Sequence, residues 1–388
     1  MFNKKVLGNE KPRGSVVTVK NRLIERVNKR RGDITIPIVV AIISAFGAVA
    51  VYSAGSYTAK KNYSDEFFFL RKQILGVLLG LASMFFACLF DYRRTKKAGV
   101  PLVIVSAVLL SLVFVPGIGV ESYGAKRWIG FGSFSFQPSE IAKFAFVFFT
   151  AGYFAKYPER VNTFKGILPV VAVGGAICLL VIAEPNMSVT MLIGGVMLGM
   201  LFFAGVPLRR IALFVVPLIL AVPVLIVAEP YRLKRLSAFL DPWASPKGEG
   251  YQLIQSLYSL GSGGFFGVGL FNSRQKYLFL PFAESDFILS VIGEELGFVG
   301  VTAFLFLSLF LISRGILVAA RAKDLYGSLL ASGITLVYAL QVIINALVVT
   351  GSIPPTGIPL PLVSSGNTSV IVFSSAFGVL YNISKNSI

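Results

Sequence analysis

Apolar residues in this 388-residue chain are gathered into ten long blocks separated by shorter polar stretches. The blocks run at roughly 35–56, 73–90, 99–116, 137–155, 167–183, 187–204, 211–228, 286–313, 327–350 and 363–383. About 20 residues of helix cross a hydrocarbon core, and a helix satisfies its own backbone polar groups, as a lipid environment demands. The pattern predicts an all-α polytopic membrane protein of about ten transmembrane helices, forming a single membrane domain over 35–384. Ahead of it, residues 1–34 hold ten Lys or Arg and no apolar run, which predicts a basic cytoplasmic tail and no cleavable signal peptide.

Two of the polar stretches are long: 117–136, between the third and fourth helices, and 229–285, between the seventh and eighth. Loops of this size are usually functional or disordered. In the second, the apolar periodicity of Tyr251 to Tyr258 predicts a short surface helix, and Gly261, Gly263, Gly264, Gly267 and Gly269 predict a turn-rich, hairpin-like continuation. With the N-terminus inside, inner segments carry 23 Lys or Arg against 12 outside, and half of those 12 lie in the long second loop. Long loops count little toward orientation, so the bias predicts both termini cytoplasmic and both long loops extracellular.

Composition agrees with this layout. Hydrophobic residues make up 55% and charged residues 14%, whereas soluble domains carry roughly 45–50% and about 25%. The net charge of +18 lies between apolar blocks instead of forming a stripe on a folded domain. It therefore points to anionic membrane lipid and not to nucleic acid. Histidine is absent, which excludes His-based triads and His-ligated zinc or haem and leaves acid/base work to carboxylates, Lys or Tyr. Cys88 and Cys178 fall inside apolar blocks and read as small core residues. The glycines at 261–269 do not follow a nucleotide-binding strand, there is no Walker loop, and no cofactor is evident.

Polar residues within apolar blocks are costly and need a reason. Glu140 and Lys143 lie three apart, on one face of the fourth helix, as a structural ion pair or as the lining of a polar cavity in which Lys143 meets phosphate. Asp286 opens the eighth helix, as an N-cap or as a functional carboxylate, and Ser290, Gly293 and Gly297 follow on one small-residue face. Glu294 and Glu295 lie deeper and call for buried partners. Glu184-Pro185-Asn186 is a short outer turn or a substrate-facing elbow. Gln341 and Asn345 are one helical turn apart, and the prolines at 354, 355, 359 and 361 precede Ser364 to Ser369, predicting an irregular segment that re-enters as a polar helix start.

Five short motifs occur in order on this layout: Arg127-Trp128-Ile129; Gln137-Pro138-Ser139-Glu140 with Lys143; Ser285-Asp286-Phe287-Ile288; Gly293-Glu294-Glu295-Leu296-Gly297; and Leu360-Pro361-Leu362-Val363-Ser364. Together they resemble the SEDS family of cell-wall polymerases (FtsW, RodA and SpoVE), from about residue 35 to 384. Asp241-Pro242-Trp243, Gly250-Tyr251-Gln252 and Ser273-Arg274-Gln275-Lys276 look closer to the FtsW and SpoVE branch, which favours division or sporulation over elongation. Phe282-Ala283-Glu284 and Ser365-Gly366-Asn367 depart from the family's usual pattern.

The resemblance implies a peptidoglycan glycosyltransferase that polymerises lipid II at the outer face of the cytoplasmic membrane. It assigns the essential carboxylate to Asp286, the functional Trp to Trp128 and the intramembrane pair to Glu140 and Lys143. Arg127, Glu184 and Ser364 complete the expected substrate-binding set. Positive charge for the leaving diphosphate is expected from Lys143, Arg127, Arg232, Lys234, Arg235 or a divalent metal, Mg or Mn. Expected partners are a class B penicillin-binding transpeptidase and the proteins of a division or sporulation complex. The competing functions are a lipid II flippase and a non-catalytic division scaffold.

Overall fold

A computed structural model describes residues 32–122, 125–131, 134–227 and 230–387. The basic tail expected at 1–34 lies outside the described residues up to residue 31, as does the side chain of Arg232. Ten helices correspond one for one to the ten apolar blocks: α1 (Thr35–Tyr63), α2 (Phe68–Leu89), α3 (Gly99–Leu112), α4 (Pro138–Lys156), α5 (Phe164–Ala183), α6 (Met187–Phe203), α7 (Leu208–Val227), α10 (Ile288–Arg321), α11 (Leu325–Val349) and α12 (Asn367–Lys385). Five of them (α1, α2, α5, α10 and α11) are long and apolar enough to cross a membrane by length and composition, and α3 and α6 are shorter apolar helices.

Their outward faces are apolar. Leu78 and Phe85 on α2, Leu220 and Val224 on α7, and Phe306 on α10 are each 60% or more exposed. Side chains of this kind suit contact with lipid. The polar side chains turn inward instead. Between α2 and α12, Ser375 Oγ and Ser83 Oγ lie 2.9 Å apart, and Asn382 both donates to the Cys88 carbonyl at 3.0 Å and accepts from the Tyr92 backbone N–H at 3.0 Å.

Segment 117–136 departs from the all-α expectation. It forms a three-stranded antiparallel sheet of β1 (Gly119–Ser122), β2 (Ala125–Phe131) and β3 (Phe134–Phe136), in the order β1-β2-β3. The aromatic and branched residues of this stretch suit a half-buried pleat, and Ile129 of β2 is buried at 1% exposure.

Segment 229–285 holds two helices, α8 (Pro230–Leu240) and α9 (Tyr251–Gly263), of which the apolar periodicity revealed only the second. Beyond α9 the glycine-rich stretch forms no strand among the described residues. Its backbone pairs with α10. Val268 and Gly269 N–H donate to the carbonyls of Glu294 and Glu295 at 2.9 and 3.0 Å, and Phe298 and Val299 N–H donate to the carbonyls of Gly264 and Phe265 at 3.0 and 3.1 Å.

That exchange takes place at a break in α10, where Gly297 adopts φ 66°, ψ −165°. A Cβ there would stand 2.3 Å from the Gly267 nitrogen, so only glycine fits. The small-residue face expected through Ser290, Gly293 and Gly297 is therefore helical only as far as Gly293. Unbroken, 34 residues would make a rod of roughly 50 Å, far beyond a hydrocarbon core of about 30 Å. The break separates a short first piece, packed on α9, from the apolar remainder.

Candidate active site

Asp286 stands two residues before α10, where chain segments 284–286 and 355–365 run together. Asn345 of α11 laces them: its Nδ2 donates to the Asp286 main-chain carbonyl and to that of Ile358, each at 2.9 Å. Ser364 adds a second tie, with Oγ donating to the Ser285 carbonyl at 2.6 Å and accepting from the Leu360 N–H at 2.8 Å. Ser365 N–H donates to the Glu284 carbonyl at 2.9 Å, and Gln341 Nε2 donates to the Pro359 carbonyl at 3.1 Å. A proline-interrupted segment has few backbone partners of its own, so side chains from a continuous helix hold it.

The Asp286 carboxylate accepts from Ser285 Oγ at 3.0 Å, while the residue at the helix cap, Phe287, makes no side-chain cap bond. The N-cap alternative is thus not what this geometry shows. Gly357, at φ +71°, faces the carboxylate; a Cβ there would come within 3.4 Å of Asp286 Oδ2. Burial pushes the Asp286 carboxyl above its ordinary range, and the Ser285 hydroxyl and the positive charges of Arg235 and Arg127 pull the other way. Glu284 is raised too, by burial and by the neighbouring Asp286 charge. Asp286 itself is only half-buried, so the carboxylate is largely dehydrated yet still reachable.

The cations come from different elements. Arg235 of α8 donates from Nη1 to the Pro355 carbonyl at 3.2 Å. Arg127 of β2 donates from Nε to the Glu184 carbonyl at 3.2 Å and from Nη2 to the Pro185 carbonyl. Trp128, next to it, is half-buried and pairs across the strands with Val120.

Glu140 and Lys143 occupy the first two turns of α4 and form a buried ion pair at 2.7 Å. The helix starts at Pro138, so both lie near its N-terminal end. Lys143 also donates to Gln341 Oε1 at 2.7 Å and lies 5.5 Å from the Phe373 ring centre. Its ammonium is committed to protein acceptors. Through Gln341 the pair supports the Pro359 carbonyl, and so the segment that faces Asp286. The geometry gives Lys143 a structural place, and the charges acting on Asp286 are those of Arg235 and Arg127.

Glu184 is buried at 1% exposure at the turn between α5 and α6, and neither carboxyl oxygen has a hydrogen-bond partner among the described residues. Burial pushes its carboxyl up to about 8, against the pull of Arg127. Glu294 and Glu295 do find partners. Glu294 accepts from Ser273 Oγ at 2.5 Å and the Arg274 N–H at 2.9 Å; Glu295 accepts from Ser53 Oγ at 2.5 Å and lies 3.6 Å from Lys276 Nζ. They latch the Ser273 to Lys276 motif onto the piece of α10 that follows Asp286. Asn345 and Gly357 were not in the expected site. Asn345 was legible as a polar residue on an apolar helix, whereas nothing in the sequence marks Gly357 apart from the turn it closes.

Residues 33–388 match the sequence model of the cell cycle protein family that groups FtsW, RodA and SpoVE. The chain belongs to that family. It is 39% identical over 363 residues to stage V sporulation protein E of Bacillus subtilis (strain 168), covering 92% of this chain and 98% of the relative. It is 41% identical over 353 residues to the probable peptidoglycan glycosyltransferase FtsW of Geobacter sp. (strain M18), covering 91% and 96%. Among solved structures it resembles, at TM-score 0.76 and 29% identity, a chain from work on structural coordination of polymerization and crosslinking by a peptidoglycan synthase complex, covering 92% of this chain and 98% of that one. The rod shape determining protein RodA of Thermus thermophilus matches at TM-score 0.67 and 25% identity, covering 92% and 97%. As an FtsW/RodA/SpoVE family member with these apolar helices, the chain is a multi-pass protein of the cytoplasmic membrane.

Proposed function

We propose that this chain is a peptidoglycan glycosyltransferase of the FtsW and SpoVE type, which polymerises lipid II at the outer face of the membrane for division or sporulation. The relatives named above carry that activity or role in their names. The observation that carries the assignment is the Asp286 carboxylate, half-buried, dehydrated and held by a membrane helix, with the charges of Arg127 and Arg235 acting on it.

Polymerisation needs a sugar hydroxyl to attack the anomeric carbon of a second sugar while a polyprenyl diphosphate departs. Asp286 takes the proton of the attacking hydroxyl as its oxygen forms the new glycosidic bond. The bond from the anomeric carbon to the diphosphate breaks, and the electron pair leaves with the phosphate oxygen. A single displacement inverts the configuration. Arg127 and Arg235 supply the positive charge that the departing diphosphate requires. Trp128 offers an aromatic face to the headgroup beside Arg127. A transpeptidase of the class B penicillin-binding type is the partner that would cross-link the product, in keeping with the synthase complex to which a structural neighbour belongs.

The test is gel-resolved polymerisation of labelled lipid II by the purified chain, alone and with such a partner. Asp286→Asn keeps shape and hydrogen bonding and removes the base. Ladders from wild type that vanish with the variant, at unchanged melting temperature, are expected. A variant that polymerises normally would sink the assignment, and a wild type without ladders would turn attention to lipid II scrambling.

A further inference from the structure

The α5–α6 turn holds a buried acid to which the proposed reaction gives no role. Glu184 is 1% exposed, and both oxygens of its carboxyl lack a hydrogen-bond partner among the described residues. The same turn seats Arg127: the guanidinium donates to the main-chain carbonyls of Glu184 and Pro185. Arg127 in turn acts electrostatically on both Glu184 and Asp286. One cation thus acts on both a buried carboxyl and the site's base.

We infer that the Glu184 side chain acts through Arg127, competing with the diphosphate of the lipid-linked substrate for that guanidinium. This rests on the polymerase function proposed above. The main-chain carbonyls fix where the guanidinium sits, whatever the state of the side chain. The carboxyl sets how much of its charge is left for a ligand. When neutral, it leaves Arg127 to an incoming diphosphate; when ionised, it supplies an internal anion at a site shielded from water, where such pairing is strong.

Few other charges reach Glu184. Elements packed against α5 and α6 contribute Glu140 and Lys143 of α4, which neutralise each other at 2.7 Å, and the exposed Lys126 of β2. α3 and α11 carry no charged side chains, and those of α7 and of Pro158–Asn162 lie at the opposite ends of the helices. Among the described residues, that leaves Arg127 as the charge that acts on this carboxyl. With its pKa raised to about 8 by burial, Glu184 is mostly neutral at pH 7 and ionises as the pH climbs past 8. The competition therefore switches on at alkaline pH.

The experiment titrates geranylgeranyl diphosphate into the detergent-purified full chain at pH 6.5 and pH 9, reading the fluorescence of Trp128. A Trp243→Phe background leaves Trp128 as the sole tryptophan, since the chain has 2. Glu184→Gln cannot ionise and serves as the reference against titration of the diphosphate itself. Equal affinities are expected at pH 6.5, and at pH 9 the Gln variant is expected to bind about tenfold more tightly than wild type, one pH unit above the pKa being a factor of ten. Glu184→Met, equally unable to ionise, is expected to follow the Gln variant and separates loss of charge from loss of shape. Identical pH dependence in wild type and Gln variant overturns the inference, while lipid II ladders from the same wild-type preparation keep the polymerase function. Failure of wild type to bind the diphosphate at either pH overturns the inference, and joined to missing ladders it overturns the polymerase function as well.

Discussion

At the scale of single residues, the environment of Asp286 makes its proton affinity an experimental handle. Burial raises its pKa and the two arginines lower it, so as a base it is competent above the raised value and loses activity as pH falls through it. The acid limb of kcat/KM is expected above the ordinary carboxylate range of about 4. Arg235→Gln removes one of the lowering charges and is expected to move that limb to higher pH; a limb that stays in place would separate Arg235 from the base. Lys143 behaves differently. Lys143→Met leaves Glu140 as a buried, unpaired acid, a loss on the order of 3–5 kcal/mol for a broken buried pair, and is expected to lower the melting temperature and the yield of folded protein. The double variant Glu140→Gln, Lys143→Met is expected to recover part of that loss. A single variant that melts like wild type but binds substrate poorly would restore a phosphate-binding part for Lys143.

At the scale of elements, the membrane helices were legible because each apolar block signals itself by length alone. The pieces between them signal less. Lys126 and Arg127 stand side by side near the start of β2 and break its alternation, so it was lost among loop residues, although Ile129 is buried in it. α8 escaped notice because Lys234 and Arg235 interrupt a short amphipathic run. The break in α10 was hidden for a physical reason: the glycine that ends one helical piece has the spacing of a small packing residue, and only its backbone shows which part it plays. The site was legible where chemistry is unusual for a membrane, as at Asp286, Glu140, Lys143 and Asn345. It was illegible where backbone geometry decides, as at Gly357. Gly297→Ala tests the break directly. With φ 66° and a backbone nitrogen 2.3 Å from the new Cβ, the 264–269 stretch must leave α10, and accelerated proteolysis of that loop is expected with loss of ladders. Unchanged proteolysis would mean that the latch of Glu294 and Glu295 alone holds the loop.

At the scale of the whole molecule, the Asp286 carboxyl, the proposed base, is tied to the part of the protein that lipid holds. Asn345 sits four residues from the end of α11, a helix apolar enough to span a membrane, and it is this side chain that grips the Asp286 main chain. The height of the base is therefore measured from the hydrocarbon boundary and not from the loops above it. The substrate proposed for it would be gauged in the same way, because a headgroup on a polyprenyl tail rides at a level set by the same lipid. Bilayer thickness becomes a kinetic variable: helices tilt to match the hydrocarbon they meet, and tilting α11 shifts the carboxyl relative to the sugar it must deprotonate. Reconstituted into vesicles of graded acyl length, the chain is expected to show a rate maximum at one thickness with a fall on either side, and a flat profile would show that the base is not referenced to the membrane.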